Sequence, residues 1–96
     1  MPASRIVRRS TRFKRDYKRE MSGRFAKILD AEFLRVMKLL LADMPLPGSY
    51  RDHPLLGEWK GHRDCHIRPD LILIYRKPDE MHLDLVRLGS HSELGS

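Results

Sequence analysis

The sequence lacks several features that mark particular classes of protein. Cys65 is its single cysteine, so no intrachain disulfide can form and a reducing compartment is expected. No apolar run approaches the roughly 20 residues that span a bilayer, and the start of the chain holds no apolar stretch of the signal-peptide kind. A cytoplasmic protein without a membrane segment is therefore predicted.

Charge, in contrast, is abundant and unevenly signed. The 96 residues include 19 lysines and arginines against 13 aspartates and glutamates, which gives a formal net charge of +6. A cationic surface on so small a chain attracts polyanions through its summed field and through the release of counterions. Because 96 residues suffice for one modest core, residues 1–96 are predicted to form a single domain that contacts nucleic acid.

Two amphipathic helices are predicted in the first half of the chain. Ser10 or Thr11 is suited to cap the first helix. The second is indicated by apolar residues that recur at spacings of three and four between Phe25 and Met44, and a proline-rich loop follows it. We assign this apolar stripe to the core and to no chemistry.

A short strand over 5–8 precedes the helices, and three strands are predicted after them, over 59–67, 71–75 and 81–88. The middle one is apolar at both alternating sets of positions, as expected for a central strand. Short turns at 68–70 and 77–80 make neighbouring strands antiparallel. The predicted fold class is α+β, a small antiparallel sheet with two N-terminal helices on one face in the order β-α-α-β-β-β.

Five histidines, at positions 53, 62, 66, 82 and 91, are the residues best suited to proton transfer near neutral pH. RNA cleavage needs a base that takes the proton of the ribose 2′-hydroxyl and an acid that protonates the leaving 5′-oxygen. It also needs a cation that stabilises the phosphorane. Two histidines and one arginine supply all three without a metal, but histidine-rich segments are often merely exposed, so composition leaves both interpretations open.

Alternation along the strand predicted over 59–67 separates two faces. Lys60, His62, Asp64 and His66 share one face, which is polar and carries positive charge. His62 and Asp64 are as consistent with contact at the rim of a site as with no role. His82, which follows the turn predicted at 77–80, is interpreted as an ordinary surface residue.

Three motifs follow one another in the second half of the chain. They read LPGSYRDHPL over 46–55, GEWKGHRDCH over 57–66 and RLGSHSEL over 87–94. In order and spacing they closely resemble the YafQ branch of the RelE-like toxins of bacterial type II toxin–antitoxin systems. The resemblance implies a RelE-like fold and an enzyme that cuts messenger RNA, usually while the ribosome holds it.

The resemblance implies functional roles for five residues: His53, His66, Asp70, Arg87 and His91. It implies that His91 is the base acting on the 2′-hydroxyl and that His53 or His66 is the acid, with the assignments exchangeable among the histidines. Arg87 would hold the scissile phosphate, as guanidinium geometry suits. Asp70 would orient an imidazole and favour its charged form.

Partners follow from charge and resemblance together. Lys60, His62, Arg63 and Arg68 are predicted to contact the RNA. The expected partners are messenger RNA, the ribosome and a cognate antitoxin, an acidic and partly disordered chain that wraps the basic surface. No cofactor, metal or membrane partner is expected.

Two positions depart from the family pattern. Leu71 stands where the family often has an aromatic residue, and the chain ends with 94–96 where an aromatic is also common. Each missing base-stacking contact would weaken binding by about 1–3 kcal/mol.

Strand parity sets a condition on Arg87. It shares its parity with Leu83 and Leu85, which are predicted core residues. Arg87 must therefore lie past the covered part of the sheet or follow a β-bulge.

Two other hypotheses are kept. The first is a non-catalytic RelE/ParE-like binding toxin or a basic nucleic-acid-binding module, but blocking a partner needs no proton-transfer groups. The second is a metal site at His62 and His66, which on a strand would lie about 13 Å apart along the chain, too far to share an ion.

Overall fold

The computed structural model describes residues 4–95 and contains one five-stranded sheet, two long helices and one short helix. The strands are β1 (Ile6–Arg9), β2 (His53–Pro54), β3 (Arg63–Arg68), β4 (Leu71–Arg76) and β5 (His82–Gly89), and the helices are α1 (Thr11–Met21), α2 (Leu29–Leu41) and α3 (His91–Leu94). Single 3-10 turns lie at Gly48–Tyr50 and Gly57–Trp59. Ser96, part of the chain end compared above, lies outside the described residues.

The strand order is β1-β5-β4-β3-β2. The predicted antiparallel meander of β3, β4 and β5 is confirmed, and β4 is the central strand. The expectation of a wholly antiparallel sheet is wrong, because β1 pairs with β5 in parallel. The two helices carry the chain across one sheet face between β1 and the later strands, and such a helical crossover permits parallel pairing.

Helix α1 begins where the sequence predicts. The Ser10 hydroxyl accepts a hydrogen bond from the backbone N–H of Phe13 at 2.9 Å and donates one to the carbonyl of Val86 at 2.7 Å. The cap therefore also ties the helix to β5. Helix α2 is shorter than its apolar stripe, because residues 24–28 form turns before Leu29.

The two long helices cover one face of the sheet, as predicted. Phe13 and Val36 pack there against Cys65, Leu73 and other alternating residues of β3, β4 and β5. Burial raises the pKa of the Cys65 thiol, which makes it an inert core residue. None of the helices within residues 4–95 is long and apolar enough to cross a bilayer.

The strand predicted over 59–67 begins later than expected. Trp59 ends a 3-10 turn, and Gly61 has a φ of 88°, a left-handed conformation that favours glycine. Lys60 and Gly61 consequently lie in a turn outside the strand. His62 still pairs with Leu55 beside β3 and lines a cavity with Arg76 and Asp84, so it keeps the predicted sheet face, that of Asp64. The glycines at 57 and 61 are the sequence signal for this break.

Candidate active site

Three histidines that are far apart along the chain lie together on the sheet face opposite the long helices, which we call the open face. The ring centroids of His53 and His66 are 6.5 Å apart, and those of His66 and His91 are 5.5 Å apart. Ile72 of β4 pairs with both His66 and Gly89, so β5 ends near His66 and the chain reaches His91 two residues later. The structure thus brings together all three histidines named by the resemblance.

A carboxylate lies between two of these rings. Asp64 pairs with His53 across β2 and β3, and its Oδ1 is 2.8 Å from Nε2 of His53 and 4.0 Å from Nε2 of His66. This oxygen is buried and accepts no well-directed hydrogen bond within residues 4–95, so the contact with His53 is electrostatic. Asp64, for which a role and no role were equally consistent with the sequence, belongs to the cluster.

Asp70 holds the third histidine. Its Oδ1 accepts a hydrogen bond from the backbone N–H of His91 at 2.9 Å and lies 2.8 Å from Nδ1 of the same residue. Arg24 donates to its other oxygen at 2.6 Å. These bonds, those from His91 first, lower the pKa of Asp70 to about 2. Asp70 is therefore ionised at neutral pH and fixes Nδ1 of His91 as the protonated ring nitrogen facing it.

Helix α3, which begins with His91, is held at both ends. Ser90 and Glu93 form a capping box, a pattern readable in the sequence as serine followed three residues later by glutamate. Glu93 also pairs with Arg19 of α1 at 2.8 Å. A Cβ on Gly89 would lie 2.7 Å from the Arg19 guanidinium and 3.1 Å from a Glu93 oxygen. The motif glycine is therefore required so that this ion pair can pass close to the backbone.

A β-bulge decides where Arg87 points. Tyr75 pairs with Leu85, but Ile74 pairs with Arg87, so Val86 is the extra residue. The bulge moves Arg87 from the core face to the open face. There Arg87 pairs with Ile74 of β4, which in turn pairs with Asp64 of β3. Of the two possibilities set by parity, the structure has the bulge.

The Arg87 guanidinium is held by Asp16 of α1. Its Nε donates to Asp16 at 2.7 Å and its Nη2 at 3.3 Å, and both side chains are buried. Burial by itself raises the pKa of Asp16, but bonds from Arg87, the N–H of Leu88 and Arg19 outweigh it, and the net pKa is lowered. Arg87 is thus on the correct face but is not among the residues in contact with the histidine rings.

The four predicted RNA contacts are spread over the molecule. Lys60 and His62 lie just before β3, and His62 packs edge-on against Trp59. Arg63 is on the helix-covered side, where it donates to Asp52 at 3.2 Å. Arg68 alone borders the histidine cluster.

A cavity of about 470 Å³ opens beside His66 and His91. Its other walls come from residues 49–51, the turn after β3 and the first turn of α2. Arg51, Arg68 and Glu32 line it. Glu32 was not singled out in the sequence, where only the apolar stripe of its helix was interpreted.

The cluster also has the donors of a metal site. Ligand atoms of His53, Asp64 and His66 lie within 4.8 Å of one another, and two imidazoles with a carboxylate suit zinc or copper. The pair weighed from the sequence, His62 and His66, is not the one that the fold brings together.

Two other residues considered in the sequence, His82 and Leu71, lie outside the histidine cluster. His82, the first residue of β5, lies in contact with Asp79 at 2.9 Å and apart from the cluster. Leu71 is 0% exposed, so it packs in the core and offers no surface on which a base could stack.

Fold and cluster together define a small basic α+β protein of RelE-like architecture with a histidine–carboxylate site on its open face. Residues 5–96 match the family described as bacterial toxin of type II toxin–antitoxin system, YafQ. The chain belongs to this YafQ toxin family, which confirms the resemblance seen in its motifs.

Named relatives span almost the whole chain. The mRNA interferase toxin YafQ of Escherichia coli is 36% identical over 91 residues, which are 93% of this chain and 98% of that protein. The crystal structure of the E. coli DinJ–YafQ toxin–antitoxin complex has a TM-score of 0.78 at 36% identity, over 97% of this chain and 99% of the matched chain. A copper-bound mutant toxin from Helicobacter pylori has a TM-score of 0.84 at 36% identity, over 95% and 98%.

Proposed function

We propose that this toxin is an mRNA interferase, an endoribonuclease whose single domain, residues 1–96, cuts messenger RNA by attack of the ribose 2′-hydroxyl on the adjacent phosphorus. The observation that carries the proposal is that the ring of His66 lies next to those of His53 and His91, beside two carboxylates. Two or more imidazoles around one phosphodiester supply both a base and an acid.

In this proposal His91 is the base. Asp70 orients its ring through Nδ1, so the proton of the 2′-hydroxyl goes to Nε2. The 2′-oxygen bonds to phosphorus and the bond from phosphorus to the 5′-oxygen breaks. His53 or His66 gives a proton to that oxygen, and the products are a 2′,3′-cyclic phosphate and a 5′-hydroxyl.

Arg87 supplies the positive charge for the phosphorane. Asp16 engages its Nε and Nη2, which leaves Nη1 for a phosphate oxygen. The cation is thereby fixed before the substrate arrives, which is the arrangement that stabilises developing charge best. Cleavage in this scheme uses no metal, and a copper ion on His53 and His66 would remove the nitrogens that transfer protons.

Three partners belong to the proposal. The E. coli relative is solved in complex with its antitoxin DinJ, and we infer a cognate antitoxin for this chain, drawn to its net charge of +6. The messenger RNA is presented by the ribosome, in the cytoplasm. Adding ribosomes to a purified reaction tests this requirement separately from the chemistry.

The test of the chemistry is cleavage of a reporter message by purified protein, with ribosomes and excess chelator. We expect 5′-hydroxyl and cyclic phosphate ends, and a loss of about 10²–10⁴-fold in rate for His91→Ala. His82→Ala is the matched control, because His82 also pairs with an aspartate at 2.9 Å but outside the cluster. Ends that carry a 5′-phosphate, or equal losses in the two variants, would refute the mechanism.

A further inference from the structure

The cavity beside His66 and His91 has no part in the proton transfers above. It lies next to the place where the scissile phosphate would sit, so the nucleotide on one side of the cut must enter it or pass over it. Its volume of about 470 Å³ is in the range of pockets that bind small organic molecules.

Two of its charged groups form a donor–acceptor pair. Arg68 donates through Nη2 to Oε1 of Glu32 at 2.6 Å, while Nε of Arg68 is buried and has no hydrogen-bond partner within residues 4–95. The second Glu32 oxygen forms an ion pair with Nη1 of Arg35 at 3.6 Å, a separation longer than a hydrogen bond. Glu32 therefore keeps capacity to accept a further hydrogen bond, and Arg68 carries one buried donor without a partner, which costs stability.

The opposite wall carries a strained residue. Arg51 has a φ of 49°, in the left-handed region that side chains other than glycine and asparagine rarely adopt. Such strain is concentrated at ligand-binding sites. Next to it, Tyr50 is anchored against the core and lines the same cavity, so the wall is fixed in position.

We propose that this cavity is a nucleobase subsite, in which Glu32 accepts from an N–H of the base next to the scissile phosphate and Arg68 donates to an acceptor on the same edge. The class of ligand is a single-stranded RNA nucleotide, since in an RNA duplex the base edges are either paired or lie in a major groove too narrow for side chains to read. The inference rests on the proposed function, because the subsite would select the cleavage position by binding the base next to the scissile phosphate.

The first experiment maps cleavage positions in an RNA of mixed sequence for the parent and for Glu32→Gln. A carboxylate only accepts hydrogen bonds, whereas an amide also donates, so the base favoured at one position beside the cut should change by about tenfold in frequency. Glu80→Gln, at an exposed turn residue, is the matched control and should keep the parent pattern. A Glu32→Gln enzyme with the parent pattern overturns the subsite.

A second experiment separates failure of the subsite from failure of the chemistry. An RNA oligonucleotide with 2′-deoxyribose at the cleavage position cannot react by 2′-hydroxyl attack, so its binding is measurable whether or not the protein is a nuclease. NMR titration should shift the backbone amides of Ser49, Arg51 and Arg68, with a base preference that Glu32→Gln reduces. Shifts confined to residues around His53 and His91 would overturn the subsite while leaving the proposed function intact.

Discussion

Asp16 and Arg87 are joined by a buried ion pair of 2.7 Å that fastens helix α1 to the C-terminal end of β5, the strand before His91. β1 covers β5 only as far as Leu85, and beyond that point side chains of α1 take the place of a strand. Asp16 accepts from the N–H of Leu88, and Arg19 donates to its carbonyl, both at 2.9 Å. Arg87 thus has a structural partner in addition to the role proposed for it at the phosphate.

This pairing predicts that Arg87→Ala unfolds more easily as well as cutting more slowly. Removing one member of a buried pair leaves the other charge unpaired and costs about 3–5 kcal/mol. We expect a loss in that range in the free energy of unfolding, measured in urea. Arg12→Ala, an exposed position on the same helix, is the control and should be nearly neutral.

The prediction changes how a growth assay is interpreted. Cells that survive expression of Arg87→Ala would not show that Arg87 contacts the phosphate, because an unfolded toxin is also harmless. A variant with unchanged unfolding free energy would show instead that the ion pair with Asp16 contributes nothing to stability.

Gly89→Ala tests the support of helix α3. The added methyl group would lie 2.7 Å from the Arg19 guanidinium and 3.1 Å from a Glu93 oxygen, so the ion pair that supports α3 must shift. We expect a stability loss of about 1–3 kcal/mol and a fall in kcat on the order of 10²-fold, since small displacements of a catalytic group are costly. Cleavage rates on a saturating substrate measure the second effect.

Gly48→Ala is the matched control for this substitution. A Cβ at Gly48 meets nothing within 4 Å, so the variant should fold and cut as the parent does. If Gly89→Ala also retains full kcat, the Arg19–Glu93 pair does not position His91.

The architecture was predictable because its signals are local. The apolar stripe of α2, the doubly apolar strand β4 and the turns that flank it each follow from the spacing of nearby residues. The direction of β1 was not predictable in this way, since its partner β5 is more than 70 residues away and no local pattern records the pairing.

The convergence of His53, His66 and His91 was predictable from the motifs but not from strand parity. Parity alone would have placed Arg87 on the core face, and only the extra residue Val86 reverses this. Parity also placed Lys60 in the strand that carries His66, whereas that strand begins only at Arg63, after the glycine turn. Partners such as Asp16 and Glu32 are polar residues of the predicted helices, and the helical pattern does not show which side chains they meet.

Acid should destabilise the fold over a defined window. Hydrogen bonds lower the pKa values of three aspartates to about 2. The donors are Arg5 and Lys77 for Asp43, and His91 and Arg24 for Asp70. For Asp79 they are His82 and nearby backbone N–H groups. A lowered carboxyl pKa adds stability that is complete above the ordinary value of 3.8 and is lost as the pH falls through the folded value. Urea titrations at pH 5, 4, 3 and 2 should therefore give falling stability between pH 4 and 2, and an unchanged midpoint over this interval would contradict it.

Asp70→Asn separates orientation of His91 from general stability. The amide still accepts the backbone N–H of His91, but it loses the charge that holds Nδ1–H, so the ring no longer has one preferred tautomer. We expect kcat to fall by about 10²-fold or more, with KM changed far less, because the base acts in the transition state.

Asp79→Asn provides a closely matched control for that experiment. Asp79 contacts a histidine at 2.9 Å, its pKa is also lowered to about 2, and it too accepts a backbone N–H from the histidine it orients. Its partner His82 lies outside the cluster, so this variant should lose acid-dependent stability to a similar extent and keep the parent kcat. Equal losses of kcat in the two variants would mean that Asp70 acts on the fold and not on His91.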